Sequence, residues 1–386
     1  MSTDPSRTDS DPIGRTRARR GLLAGVLILG LVACKSADRS AEDAAVETTT
    51  KKITPKRQVV DVHVHVTPDE LDRLHGILDE AGIDWVVNLS GMWPGGPLEK
   101  QLAAARQSGR IRVATTPPWG LAFRRDDFPT ISASMIRDAK RQGAVALKIS
   151  KALGLQIKNP KGELVAVDDP WLDPIWAAAG EVGFPVFIHT ADPKAFWLPI
   201  DENNERQEEL TAHPGWSYYG EDVPSFDALL GQLMNVVKKH PKTTFIAVHF
   251  GNHAEDPFWV GRMLDEHPNL YVDIAARVVE LGRHDPKKLR AVFIEHRKRI
   301  LFGSDLGVTP RGGLMLGSFG EEPNRRDEVG PFFAAHWRWL ETADTLDSPT
   351  PIQGRWKIHG LELPSDVLDD IYHGNAERLF GAPAKP

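Results

Sequence analysis

The sequence predicts an α/β protein folded as a single TIM-type (β/α)8 barrel with long loops at the carboxyl-terminal face of its strands. Three observations carry that expectation. Short apolar, β-branched runs end near His65, Ser90, Pro117, Ser150, His189, His249, Ile274 and Asp305, and most gaps between them show a helical spacing of apolar residues. Runs such as Trp85-Val86-Val87, Pro185-Val186-Phe187-Ile188 and Phe245-Ile246-Ala247-Val248 are apolar at consecutive positions, which suits parallel strands covered on both faces. Residues able to bind a metal stand at several run ends. A closed barrel gathers strand ends around one point, whereas a doubly wound sheet, the alternative, does not.

The 386 residues, 41% hydrophobic and 26% charged, suffice for a sizeable core. A net charge of −6 argues against nucleic acid as the main partner, because phosphate contacts need a basic face; a small-molecule substrate is expected. Arg15-Thr16-Arg17-Ala18-Arg19-Arg20 precedes an apolar stretch from Gly21 to Ala33. That stretch is too short to span a bilayer, which needs about 20 residues, so residues 1–33 read as a secretory signal. Leu31-Val32-Ala33-Cys34 resembles the bacterial lipoprotein box, and the only cysteine of the chain stands where that box is lipidated. The expectation is an exported protein, anchored through lipid on Cys34 to the membrane of a bacterial cell envelope. Arg19-Arg20-Gly21-Leu22-Leu23 also resembles a twin-arginine export signal. Residues 34–57 are polar, small and aperiodic, a flexible tether, which leaves 58–386 for the barrel.

Within the barrel, Glu70 to Ala81 carries apolar residues at Leu71, Leu74, Ile77, Leu78 and Ala81, a helical spacing introduced by Pro68. Further helices are expected over 97–108, 130–142, 170–182, 225–239, 257–267 and 285–297. Gly82, Gly143 and Gly183 stand where helix ends want positive φ. Three connections are long: 151–169, 191–224 with Trp197, His213, Trp216, Tyr218 and Tyr219, and 306–330 with Arg311, Gly312, Gly313, Arg325 and Arg326. All follow strand ends and are expected to wall the pocket.

Asp61-Val62-His63-Val64-His65 closes the first run, and in a strand His63 and His65 leave the same face. Lys148, His189, His249 and Asp305 follow at or near the ends of later runs. Imidazoles and a carboxylate converging from separate strands are the makings of one metal site.

The ordered set resembles the amidohydrolase superfamily of metal-dependent barrels, more narrowly the amidohydrolase-related branch that includes aminocarboxymuconate-semialdehyde decarboxylase. The matching pieces are Val60-Asp61-Val62-His63-Val64-His65, Phe187-Ile188-His189, Val248-His249-Phe250-Gly251, Leu301-Phe302-Gly303-Ser304-Asp305 and Gly374-Asn375-Ala376-Glu377-Arg378-Leu379-Phe380. They span roughly residues 58 to 382. The resemblance implies that His63, His65, His189 and Asp305 bind a divalent metal. Such a donor set suits Zn2+, with Mn2+, Fe2+ and Ni2+ as other fits. Asp305 would take the proton of the attacking water, and His249 would polarise a carbonyl or donate a proton. In binuclear relatives a lysine like Lys148 is carboxylated and bridges two metals; one metal is expected here, with Lys148 neutralising a substrate anion. Arg124, Arg125 and Arg277 follow strand ends, and Arg124 and Arg277 are assigned with Lys148 to substrate binding as carboxylate clamps. His253 reads as either a support for a ligand or a surface residue, and Asp273 as a hydrogen-bonding group of the pocket.

Three functions follow. The expected one is hydrolysis of a small-molecule amide, lactone or ester by metal-activated water. The alternative is non-oxidative decarboxylation of an aromatic or conjugated carboxylic acid, and the third is a non-catalytic, surface-anchored binding protein. The export signal favours hydrolysis, because the decarboxylation substrates of the branch are intracellular. Barrels of the branch also often form homodimers.

Overall fold

Strands that are apolar on both faces need cover on both, and the chain supplies it by alternating them with helices. The computed structural model describes residues 55–309 and 313–381. Its main sheet runs β1 (Val60–Val66), β2 (Trp85–Asn88), β3 (Ile111–Thr115), β4 (Ala146–Ile149), β5 (Val186–Ile188), β6 (Phe245–Ala247), β7 (Leu270–Asp273) and β8 (Ile300–Leu301), each parallel to the next. Beyond β8 the same passage of chain continues as β9 (Leu306–Val308), which pairs in parallel with β1 and carries an antiparallel hairpin strand, β10 (Leu314–Leu316). The eighth strand is therefore split, its first part bound to β7 and its second to β1. Across the seam the Val62 amide donates to the Phe302 carbonyl at 3.0 Å and the Asp305 amide to the His63 carbonyl at 2.9 Å. The sheet closes on itself as a (β/α)8 barrel.

Helices at Leu71–Ala81, Leu98–Ser108, Phe128–Gln142, Asp173–Glu181, Phe226–Lys239, Pro257–Glu266 and Pro286–Glu295 answer the seven expected ones. Gly82 ends the first at φ 75° and Gly143 the third at φ 109°. Sequence spacing missed Val329–Glu341, the helix of the eighth repeat. That helix buries Val329, Phe332, Phe333, Trp337 and Leu340 at regular helical spacing, so its signal was present in the sequence.

Two apolar layers result. The outer one lies between strands and helices. The inner one fills the barrel with Val60, Val62, Trp85, Val87, Ala146, Phe187, Ile246 and Leu301, and Phe380 from the C-terminal helix stacks on Phe187 at 5.6 Å. The register of β1 shifts between Asp61 and Val64, and Val64 and Val66 pack in the outer layer although Val60 and Val62 pack inside. This irregularity lets His63 and His65 continue the inner face above the valines.

One loop departs from expectation. Residues 151–169 bury Leu153, Leu155, Ile157, Val165 and Val167 in the outer core, so this connection packs against the barrel, and only Lys151 of it reaches the cavity described below. The signal at 1–33, Cys34, most of the 34–57 tether, Arg311 and Gly312 lie outside the described residues. Among the described residues no helix is long and apolar enough to cross a membrane.

Candidate metal centre

The polar layer starts two residues beyond the inner apolar one. Lys148 follows Ala146, His189 follows Phe187 and Asp273 follows Tyr271, each on the same strand face. The four histidines form a chain of ring contacts: His65 to His63 at 5.3 Å, His63 to His249 at 4.8 Å, His249 to His189 at 4.5 Å between centroids. Asp305 Oδ1 stands 3.5 Å from Nε2 of both His63 and His65. The tightest donor group joins His63, His249 and Asp305, whose ligand atoms all lie within 4.8 Å of one another. His249, assigned from sequence to the substrate, thus sits inside the donor set, while His65 reaches it through Asp305 and His189 through the His249 ring.

Backbone shape explains how His249 gets there. Its strand partner in the inner layer is Val248, so an ordinary strand would turn His249 outward. Instead His249, Phe250, Gly251 and Asn252 take φ values of 57°, 54°, 65° and 52°, a left-handed turn. For residues other than glycine each such conformation costs about 1–2 kcal/mol. Ala191, Ala276 and Asp305, just past β5, β7 and β8, are also at positive φ. The strain collects at the mouth of the barrel, as it does at functional sites. Gly303 is needed for a different reason: a Cβ there would lie 3.0 Å from the His63 Cβ.

Hydrogen bonds fix the ring tautomers. His63 Nδ1 donates to Asp273 Oδ2 at 2.9 Å, and His249 Nδ1 donates to the Ala275 carbonyl at 2.9 Å. Both rings therefore present Nε2 as a bare lone pair. Asp273 also accepts from the His249 amide at 2.8 Å, so one carboxylate orients two histidines. His65 Nδ1 is 2.8 Å from the Ser90 hydroxyl. Asp61 does not enter the site: it binds the Ser304 hydroxyl and the amides of His63 and Ser304, locking the seam.

Burial sets the charges. It lowers His189 to about 4 and holds His63, His65 and His249 well below the ordinary imidazole range, with Lys148 adding repulsion. Burial also raises Asp273 to about 6, raises Asp305, and lowers Lys148 to about 8. Three buried atoms, His63 Nε2, His189 Nε2 and Lys148 Nζ, have no hydrogen-bond partner. Neutral imidazoles with bare nitrogens beside a carboxylate fit a divalent cation, which would take up the His63 and His189 lone pairs but not the Lys148 amine.

Above the cluster lies a cavity of about 200 Å3. His189, His249 and Asp305 form part of its lining; Phe196, Glu209 and Trp216 come from the 191–224 loop and Met315 from the 306–330 segment, as the long loops suggested. Arg277 lines it and is 5% exposed. Lys148 is instead buried against the histidines, off the cavity wall. Arg124 is a correction. It is exposed, outside the cavity lining, in a short surface connection where Arg125 pairs with Asp127 at 2.7 Å. His253 packs between Phe226 and Trp259, at 5.2 and 5.1 Å. Asp192 escaped notice in the sequence. It accepts from Lys151 Nζ at 2.6 Å and Tyr218 Oη at 2.9 Å and stands 3.7 Å from His189 Nε2. Burial opposes its ionisation, but Lys151 and His189 outweigh it and hold the carboxyl well below its usual range.

The chain matches the amidohydrolase family over residues 60–382. No curated protein matches it. Among solved structures, a dihydroxybenzoic acid decarboxylase from a Polaromonas species, with bound manganese and the inhibitor 2-nitroresorcinol, is similar at 14% identity over 84% of this chain and 96% of that one, with a TM-score of 0.49. 4-Oxalomesaconate hydratase from Rhodopseudomonas palustris is similar at 14% identity over 83% and 95%, TM-score 0.48. A probable 2-pyrone-4,6-dicarboxylic acid hydrolase from Acinetobacter baumannii, with citric acid bound, is similar at 14% identity over 84% and 99%, TM-score 0.46.

Proposed function

This chain belongs to the amidohydrolase family, and from that premise we propose that it is a metal-dependent hydrolase of a small carbonyl compound, an amide, lactone or ester, that carries an anionic group. One observation carries the reading. His63 and His249 keep their protons on Nδ1, through Asp273 and the Ala275 carbonyl, and so turn bare Nε2 atoms toward Asp305. In this reading His63, His65, His189 and Asp305 hold one divalent ion, Zn2+ or Mn2+, with His249 against it. When bound, such an ion makes water nucleophilic at neutral pH and polarises a carbonyl.

The chain's own residues do the rest. Asp305, its proton affinity raised by burial, accepts the proton of the attacking water and returns it to the leaving group. His249 acts as an acceptor, because its one proton is committed to Ala275. Arg277 holds the anionic group at the cavity wall, and Lys148 offsets negative charge from below.

Those two cations favour a second reading, decarboxylation. Among the described residues neither Arg277 nor Lys148 has a carboxylate at ion-pair distance, and a leaving carboxylate needs such a partner. The test is a screen of the metal-loaded protein against lactones, amides and aromatic acids, following new carboxylate and released CO2 together. CO2 without hydrolysis product would overturn hydrolysis. We also propose export and lipid anchoring at Cys34. Labelled fatty acid should enter the full chain and be absent from Cys34→Ser; equal labelling of both would sink the anchor.

A further inference from the structure

Asn252 is 1% exposed and ends the left-handed turn that begins at His249. Its Nδ2 donates to the Thr190 carbonyl at 2.9 Å and the Ala191 carbonyl at 3.2 Å, the residues just after His189. Its Oδ1 accepts from Arg277 Nη2 at 2.6 Å. The amide cannot be flipped, since two carbonyls demand the nitrogen and a guanidinium demands the oxygen. One side chain thus joins the ends of β5, β6 and β7. Arg277 has its second anchor at the Ala276 carbonyl, 2.7 Å from Nη1, so both terminal nitrogens are pinned. A guanidinium pinned by neutral acceptors keeps its full charge, whereas a carboxylate partner would cancel it.

We infer that Asn252 is a positioning residue: its neutral amide fixes the Arg277 guanidinium as the carboxylate-binding group of the cavity and ties it to the backbone that carries His189 and His249. This rests on the reading of the cavity as a site for an anionic substrate. Asparagine meets both demands of the position, because it tolerates φ near 52° and carries no charge. Aspartate tolerates the same backbone but would pair with Arg277 and lose both donors. Glycine tolerates it too and removes the links without adding charge.

The experiment compares benzoate with benzamide, its neutral analogue of the same shape, by calorimetry on the full chain. The wild type is expected to prefer benzoate. Arg277→Met and Asn252→Asp should each lose about tenfold or more of that preference while still binding benzamide. Asn252→Gly, which keeps the charge but frees its aim, should lose less. A merely structural change would weaken both ligands equally and leave the preference intact. If Arg277→Met removes the preference and Asn252→Asp keeps it, the role of Asn252 is overturned and the anionic site stands. If Arg277→Met also keeps it, or the wild type shows none, the anionic reading falls with the proposal.

Discussion

The two halves of the barrel are made of the same strands under opposite rules. Below, Ala146, Phe187, Ile246 and Leu301 fill the interior with apolar side chains on ordinary strand backbone. Above, two residues further along the same strands, Lys148 and Asp273 are buried, His189 stands half-buried beside Asp192, and the chain leaves the strands through positive-φ residues. The lower half supplies stability. The upper half spends it, since desolvated ionisable groups and left-handed turns both cost free energy. A fold can hold a poorly compensated site when a well-packed layer sits directly beneath it.

Substitutions in the two halves should therefore separate activity from stability. Asp305→Asn should reduce turnover of the metal-loaded enzyme by about 10^2- to 10^4-fold with little change in unfolding midpoint; activity near wild type would remove Asp305 from the chemistry. Phe187→Ala, in the lower layer, should cost roughly 3–5 kcal/mol in denaturant unfolding, yet leave metal stoichiometry of the folded protein intact. Lys148→Met should do the reverse of a core mutation. In metal-free protein it should stabilise by roughly 3 kcal/mol, because the native amine titrates at about 8 rather than the ordinary 10.5. The unfolded chain binds more protons between those values, so wild-type stability climbs through that window and the advantage of the variant fades. The gain is complete below pH 8; a destabilised variant at pH 7 would show that Lys148 is well compensated. Asp273→Ala frees the His63 ring and the His249 backbone amide and should weaken metal binding about 10- to 100-fold in chelator competition, the smallest effect of the four.

What could be read in the sequence follows the same division. Apolar strands, helix periods and glycine caps are local signals, and they placed the barrel and seven helices. His63, His65, His189 and Asp305 were readable because strand ends converge in any such barrel. The place of His249 in the cluster was not, because it depends on a left-handed turn; the only hint was Gly251 and Asn252 just after it. Arg124 and Arg277 looked alike, each an arginine beyond a strand. Only tertiary packing separates them, since one connection runs over the surface and the other folds back under Asn252. Lys151, Asp192 and Tyr218 meet across two loops, a pairing no spacing rule encodes.

The split eighth strand has a consequence for synthesis. Asp305 lies in the gap between β8 and β9, and the carbonyl of Ile300 is held by Asn375 Nδ2 at 2.6 Å from the last helix. A nascent chain that has passed His249 owns all four histidines but neither the carboxylate that gathers them nor the brace that seats it. The metal centre should therefore be among the last features to form, after nearly the whole chain has left the ribosome, and loading with metal would report that the barrel has closed.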